Sequence, residues 1–243
     1  MRKLMLFSFL FLMVGLLAYA QDVDQARKKL EEMKLEFTPA TFLAQAGDGN
    51  MEAVGLFLQA GMDVNSKDND ERTALMFAAE NGKLEVAKTL IDQGADVKAG
   101  DTDDFTALMK ASGKGHLDIV NLLIDKGADV NALDINDGNA LMAASAGGHA
   151  DVIKVLLDKG AEVDASDDDD NTALIMAVKS NNAESVKLLV DKGADTMYEN
   201  DDEETPLSIA KDNGNKDIIK ILKQSKRSQE EPDSDSDDPD SNE

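Results

Sequence analysis

The sequence predicts an all-α solenoid of about six stacked helix-pair repeats, with a capping helix before them and a disordered acidic tail after them. Two motifs recur every 33 residues, and such a fixed period is typical of repeat arrays. Only 4% of the residues are aromatic, so the core must consist of smaller aliphatic side chains. A Gly-Ala-Asp-Val-like motif begins at Gly94, Gly127, Gly160 and Gly193, and a Thr-Ala-Leu-like motif begins at Thr73, Thr106, Asn139, Thr172 and Thr205.

Residues 1–20 have the pattern of a secretory signal peptide. Arg2 and Lys3 precede an apolar run over residues 4–17, and small residues lie before a cleavage point after Ala20. We therefore expect an exported protein, periplasmic or secreted, whose mature chain is not inserted in a membrane. The alternative is an uncleaved anchor, although this run is shorter than the roughly 20 residues that span a bilayer. The chain has no cysteine, so packing must stabilise the array without disulfides.

Each predicted repeat consists of two antiparallel helices. Residues 21–36 are expected to form a capping helix, because apolar residues recur there at spacings of three or four. The array itself is expected over residues 37–224. In its second repeat, Thr73 caps the first helix, and Gly94 ends the second helix in the left-handed conformation. Residues 225–243 contain no large apolar side chain, which predicts a disordered acidic tail.

The 33-residue period and two motifs resemble the ankyrin repeat family, in an exported form similar to bacterial ones. Thr-Pro-Leu opens a first helix at Thr205, and Gly-Ala-Asp-Val-Asn closes a second helix from Gly127. The resemblance covers roughly residues 37–224. It implies an α-solenoid whose turns project from one edge and whose concave face binds protein partners. We expect such a scaffold to be a monomer without cofactors.

Two columns of the array depart from the family pattern. The usual histidine after Thr-Pro-Leu is replaced by apolar residues, which we expect to fill its place by packing. The usual turn glycine is replaced by acidic residues, of which Asp tolerates a left-handed turn better than Glu does. The apolar column is Met76, Met109, Met142 and Ile175, and the acidic column is Glu71, Asp104, Asp137, Asp170 and Glu203.

The chain carries a formal net charge of −24, which indicates the kind of partner to expect. Binding to nucleic acid or to anionic lipid needs clustered Lys and Arg, so we expect neither. A basic protein or peptide is the electrostatic complement of the acidic turns. The candidate binding residues on the turns are Asp70, Glu71, Asp101, Asp103, Asp104, Phe105, Asp137, Asp168, Asp169, Asp170, Asp201 and Asp202, and those on the first helices are Phe77, Lys110 and Met176.

No catalytic motif is present in the sequence, so we expect no enzyme activity. The acidic runs miss the ligand spacing of a calcium loop, and we expect no dedicated metal site. His116 and His149 occupy equivalent positions and are interpreted as structural. The predicted function is therefore an interaction scaffold. A low-affinity cation-associating or envelope-stabilising protein is the alternative, and a secreted effector is a further one.

Overall fold

The fold is all-helical in the computed structural model, which describes residues 20–230. Helix α1 covers residues 20–32. The helices that follow are α2 (Pro39–Asp48), α3 (Met51–Gln59), α4 (Ala74–Glu80), α5 (Leu84–Asp92), α6 (Ala107–Gly113), α7 (Leu117–Asp125), α8 (Ala140–Gly147), α9 (Ala150–Asp158), α10 (Ala173–Lys179), α11 (Ala183–Asp191), α12 (Pro206–Asp212) and α13 (Lys216–Glu230).

The described chain divides into two compact units. The first comprises residues up to Ala107 together with Asp125–Ala128, and the second comprises Leu108–Ile124 and the residues from Asp129 onward. In the first unit α2 packs on α3 and α4, and α5 packs on α3 and α4. In the second unit the first helices α8, α10 and α12 pack in sequence, and so do the second helices α9, α11 and α13. Each unit is thus a stack of helix pairs, as the period predicts.

Side-chain caps fix where the first helices begin. The hydroxyl of Thr73 accepts a hydrogen bond from the Met76 N–H at 3.3 Å, and Asn139 Oδ1 accepts one from the Met142 N–H at 3.0 Å. These bonds satisfy backbone donors that the first helical turn leaves unpaired. The second helices end at glycines in the left-handed conformation, such as Gly94 with φ 91°. The predicted start and stop signals are confirmed.

Small and medium aliphatic side chains form most of the core of both units, and the first unit also buries the rings of Phe42 and Phe57. The column that replaces the family histidine is buried throughout, with Met76 at 1% exposure and Ile175 at 0%. Met109 and Met142 are also buried. The prediction that these residues pack in its place is confirmed. Burial removes their apolar surface from water, which stabilises each unit.

The ends of the array differ from the sequence-based boundaries. Helix α1 is packed through Ala26 and Leu30, but it ends at residue 32 and Met33 is exposed. At the other end α13 continues past Gln224 to Glu230, because Ile218 and Leu222 anchor a helix that polar residues then extend. The predicted signal peptide and most of the predicted tail, residues 1–19 and 231–243, lie outside the described residues.

Candidate functional site: the acidic hairpins

Five short hairpins connect successive repeats and carry most of the candidate residues. We call them the first to fifth hairpins, and they span residues 67–73, 100–106, 133–139, 166–172 and 199–205. Isolated antiparallel bridges close three of them, between Lys67 and Thr73, Gly100 and Thr106, and Ser166 and Thr172. Each hairpin therefore presents a tight turn at its tip.

One acidic column builds these turns. Asp101 Oδ1 accepts hydrogen bonds from the backbone N–H groups of Asp103 at 3.2 Å and Phe105 at 2.9 Å. Asp167 Oδ1 likewise accepts from the N–H groups of Asp169 at 3.1 Å and Asn171 at 2.7 Å. Side-chain acceptors of this kind replace a backbone partner and fix the turn. Asp101, predicted as a partner-binding residue, thus has a structural role in its own hairpin.

The second acidic column holds the left-handed position of every hairpin. Glu71, Asp104, Asp137, Asp170 and Glu203 have φ between 55° and 59°. A side chain in this region costs about 1–2 kcal/mol relative to glycine. The turn geometry is therefore maintained without glycine, even at the two Glu positions. The N–H of each residue closes the turn, as in Asp104, which donates to the Asp101 carbonyl oxygen at 2.9 Å.

Several of the remaining candidates are engaged in local contacts. Arg72 contacts Asp68 at 2.8 Å and Asp70 at 3.4 Å, and its guanidinium lies 4.9 Å from the centre of the Phe77 ring. Glu71 pairs with Lys67 at 2.8 Å. Asp70 and Glu71 are thus partly neutralised by basic neighbours. Asp170 accepts hydrogen bonds from Ser166 and Tyr198, both at 3.2 Å.

The contact with Arg72 also changes the pKa of Asp68. Burial acts to raise the pKa of Asp68, but hydrogen bonds from the Arg72 side chain and backbone and from the Asp70 N–H outweigh it. The pKa of Asp68 is consequently lowered from its ordinary value of 3.8. The carboxylate at this position is therefore held in its charged form by the turn that it builds.

The acidic side chains at the hairpin tips are exposed, and the turns do not use their carboxylates. Among the residues that the structure describes, no ion pair involves the carboxylate of Asp103, Asp169, Asp201 or Asp202. These side chains leave negative charge available to solvent or to a partner.

Backbone hydrogen bonds align neighbouring tips within each unit. In the first unit, the Thr102 N–H donates to the Asp70 carbonyl oxygen at 3.0 Å. In the second unit, the Asp168 N–H donates to Asn136 O at 3.0 Å, and the Asp201 N–H donates to Asp169 O at 3.2 Å. Neighbouring tips are thereby held side by side. Thr102 and Asn136 are uncharged, but in the second unit the acidic residues Asp168, Asp169 and Asp201 form a row of like charge.

The row brings Asp137 and Asp168 together. Partial desolvation raises the pKa of Asp168 above its ordinary value of 3.8, and the negative charge and hydrogen-bonding contact of Asp137 raise it further. The charges of Asp169 and Asp167 act in the same direction. The tips therefore repel one another in the folded chain at neutral pH.

The four non-acidic candidates are all half-buried. Phe77 and Phe105 belong to the first unit, and Lys110 and Met176 belong to the second. Phe77 is covered on one side by Arg72, which agrees with the expectation that it is partly core. A role of these residues in partner binding stays a prediction.

Three exposed apolar residues in or just before the hairpins are absent from the predicted site. Leu133 is 49% exposed, Ile135 is 55% exposed and Met197 is 51% exposed. Alignment of the repeats could have identified them from the sequence, because each is apolar at a position where the other repeats have a polar or small residue. For example, Ile135 aligns with Asn69, Thr102 and Asp168.

Membrane spans and metal clusters were two of the alternatives raised by the sequence. Over residues 20–230, no helix is both long and apolar enough to cross a bilayer. In the same part of the chain, no group of three or more His, Cys, Asp or Glu side chains is arranged to hold a metal ion.

A family comparison agrees with the repeat geometry. A family model described as ankyrin repeats (3 copies) matches residues 41–134 and 132–200, which is more than half of the chain. No curated protein matches the chain. Ankyrin repeats generally mediate protein–protein interactions and are typically non-catalytic. With its 33-residue helix pairs, hairpin connections and this match, the chain belongs to the ankyrin repeat family.

Proposed function

We propose that this protein is an exported, non-catalytic scaffold that captures a basic segment of a partner protein through its acidic hairpin tips. The export part is supported by the basic, apolar and small-residue pattern of residues 1–20. The partner class is supported by the charge and exposure of the hairpins. In each unit, taken by itself, a half-buried side chain of a first helix would add apolar contacts. These are Phe77 in the first unit and Met176 in the second.

One observation carries the proposal. The hairpin tips contain more acidic residues than their turns need to form. Asp101 and Asp167 supply the oxygens that fix their hairpins. Asp103 and Asp169 supply only a backbone N–H to the same turns, and their carboxylates are exposed. A neutral residue would serve the turn equally well and would avoid repulsion along the row. The extra charge is therefore best explained by a positively charged partner.

The same geometry supports a binding role over a catalytic one. The tip carboxylates lie on exposed turns, where water screens them and surrounds any reacting group. General acid or base catalysis relies on carboxylates whose pKa is shifted toward neutrality in a water-poor site. Exposed, closely spaced charges instead steer an oppositely charged partner and increase its association rate.

The test uses the mature chain, residues 21–243, and a lysine-rich peptide as the probe. One variant neutralises three tip carboxylates as Asp103→Asn, Asp168→Asn and Asp201→Asn. A control variant removes equal charge from exposed helix positions as Asp48→Asn, Glu52→Gln and Asp212→Asn. We expect the tip variant to bind the peptide at least about tenfold more weakly at low salt, and the control to change affinity far less.

Increasing salt should remove the difference between the two variants, because screening acts on the exposed tips. Equal losses in both variants would mean that only net charge matters, and the site assignment would be wrong. Calcium titration followed by calorimetry distinguishes the alternative function. Heat from many weak sites, without peptide binding, would favour the cation-associating protein.

A further inference from the structure

An apolar pair stands out on the third hairpin. Leu133 and Ile135 are 49% and 55% exposed, although they flank Asp134, whose carboxylate fixes the turn. The positions equivalent to Leu133 are polar or small in every other hairpin, as are those equivalent to Ile135. The former are Lys67, Gly100, Ser166 and Glu199, and the latter are Asn69, Thr102, Asp168 and Asp201.

The turn itself does not require these residues. Ile135 is the first central residue of a turn closed by the Asp137 N–H, which donates to the Asp134 carbonyl oxygen at 3.1 Å. β-branched aliphatic residues favour strands, and turns favour Asn, Asp, Gly, Pro and Ser. Exposing two large aliphatic side chains within three residues also leaves apolar surface in water. Neither fold nor solubility accounts for the pair.

Acidic residues lie beside the third hairpin on the side of the fourth. The Asp168 N–H donates to the Asn136 carbonyl oxygen at 3.0 Å, so the fourth tip lies directly beside the third. Asp137 contacts Asp168, and Asp169 is exposed next to it. An aliphatic surface is thus placed at one end of a row of negative charge within the second unit.

We infer that Leu133 and Ile135 form the apolar anchor of the partner site and select a segment in which an aliphatic or aromatic side chain is flanked by Lys or Arg. This inference rests on the proposed function and specifies its ligand. The occupant follows from charge complementarity, since the carboxylates beside the pair attract basic flanks. A second copy of this chain, with its own charge of −24, would be repelled, and so would an anionic membrane.

The test compares two synthetic peptides of equal charge, Lys-Lys-Leu-Lys-Lys and Lys-Lys-Ser-Lys-Lys, each with a fluorescent label. The mature chain should bind the leucine peptide about tenfold more tightly, because the anchor buries one aliphatic side chain. The variant combines Leu133→Ser with Ile135→Thr, which are the residues of the fourth and second hairpins. It should bind both peptides equally, at the affinity of the serine peptide.

Met197→Asn provides a matched control, because Met197 is equally exposed but lies before the fifth hairpin and outside the third. This variant should retain the preference for leucine. All three proteins should melt at similar temperatures, since the substituted side chains are exposed. A preference for leucine that survives in the double variant would overturn the anchor assignment.

The outcomes also separate the anchor from the proposed function. Equal binding of both peptides by the native chain would overturn the anchor and leave electrostatic capture intact. If neither peptide bound, both would be overturned. Two measurements test the other possible occupants of this surface. Sedimentation tests for a second copy of the chain, and binding to neutral phosphatidylcholine vesicles tests for a membrane. Dimerisation or vesicle binding that the double variant abolishes would reassign the pair to a second copy or to a membrane.

Discussion

The Nε2 atom of His149 lies 3.2 Å from the carbonyl oxygen of Gly113, one repeat earlier in the chain. His149 is the residue that caps α9, and its ring lies over Gly115. The next repeat makes the same kind of contact with an amide, because Asn182 Nδ2 donates to the Gly148 carbonyl oxygen at 3.0 Å. The start of each of these second helices is thus tied to the C-terminal end of the first helix of the preceding repeat.

We predict that His149→Ala lowers the free energy of unfolding by about 1 kcal/mol, because the hydrogen bond between repeats is lost. His149→Asn should recover most of the loss, since an amide serves at position 182. Urea denaturation followed by circular dichroism measures both. If Asn were as destabilising as Ala, this contact would not be what stabilises the interface.

The left-handed hairpin position yields a stabilising substitution. Glu203 has φ 59°, and Glu203→Gly should raise the free energy of unfolding by about 1 kcal/mol, because glycine adopts this conformation without strain. Asp202→Gly is the control, since Asp202 is exposed beside it and is not in the left-handed region. This control should be neutral or destabilising. Equal effects of the two changes on thermal melting would contradict the strain argument.

Neighbouring aspartates of the fourth hairpin should respond in opposite ways. Asp167→Ala removes the acceptor of two backbone N–H groups and should destabilise the chain by about 1–2 kcal/mol. Asp168→Ala removes a repelled charge and should be neutral or stabilising. Chemical denaturation of the two variants checks the contrast. A large loss in Asp168→Ala would assign a structural role to the tip acid.

The stabilities of two aspartate variants should depend on pH with opposite sign. The pKa of Asp168 is raised in the folded chain, so its charged form is destabilising and the penalty disappears as pH falls through the raised pKa. Asp168→Asn should therefore raise the melting temperature at neutral pH but not below 3.8. The pKa of Asp68 is lowered, so Asp68→Asn should lower the melting temperature at neutral pH and lose its effect in acid. Shifts of the same sign would refute the assignment.

Ser185 is a polar residue in an apolar column. It is fully buried, its hydroxyl has no hydrogen-bond partner among the described residues, and the equivalent positions are Val86, Ile119, Val152 and Ile218. Ser185→Ala should raise the free energy of unfolding by about 1 kcal/mol, since an unpaired buried hydroxyl is removed. A destabilised variant in calorimetry would indicate that a bound water satisfies this hydroxyl.

The period predicts the helix pairs because packing between repeats imposes the same residue type at each equivalent position. It therefore also predicts the caps at Thr73 and Asn139 and the buried column at Met76. The structural role of His149 follows from the same reasoning and is confirmed. These features are local or strictly repeated, so a single sequence is sufficient to identify them.

The different roles of the acidic residues in the hairpins could not be predicted from the sequence. Asp101 and Asp103 have the same side chain, and only the geometry of the turn directs one carboxylate to backbone N–H groups and leaves the other exposed. Leu133 and Ile135 are missing from the predicted site for another reason. Their polar columns mark them as unusual in the sequence, but apolar residues are ordinarily assigned to the core, and the structure was needed to show that both are exposed.

The most direct test of the scaffold is affinity capture from the native secreted and envelope fractions. Columns would carry mature chain, the variant with three neutralised hairpin tips, or the variant with three neutralised helix positions. We predict that a basic protein is retained by the first and third columns, is released by moderate salt, and is not retained by the second. Equal retention of the same proteins on all three columns would contradict capture through the acidic hairpins.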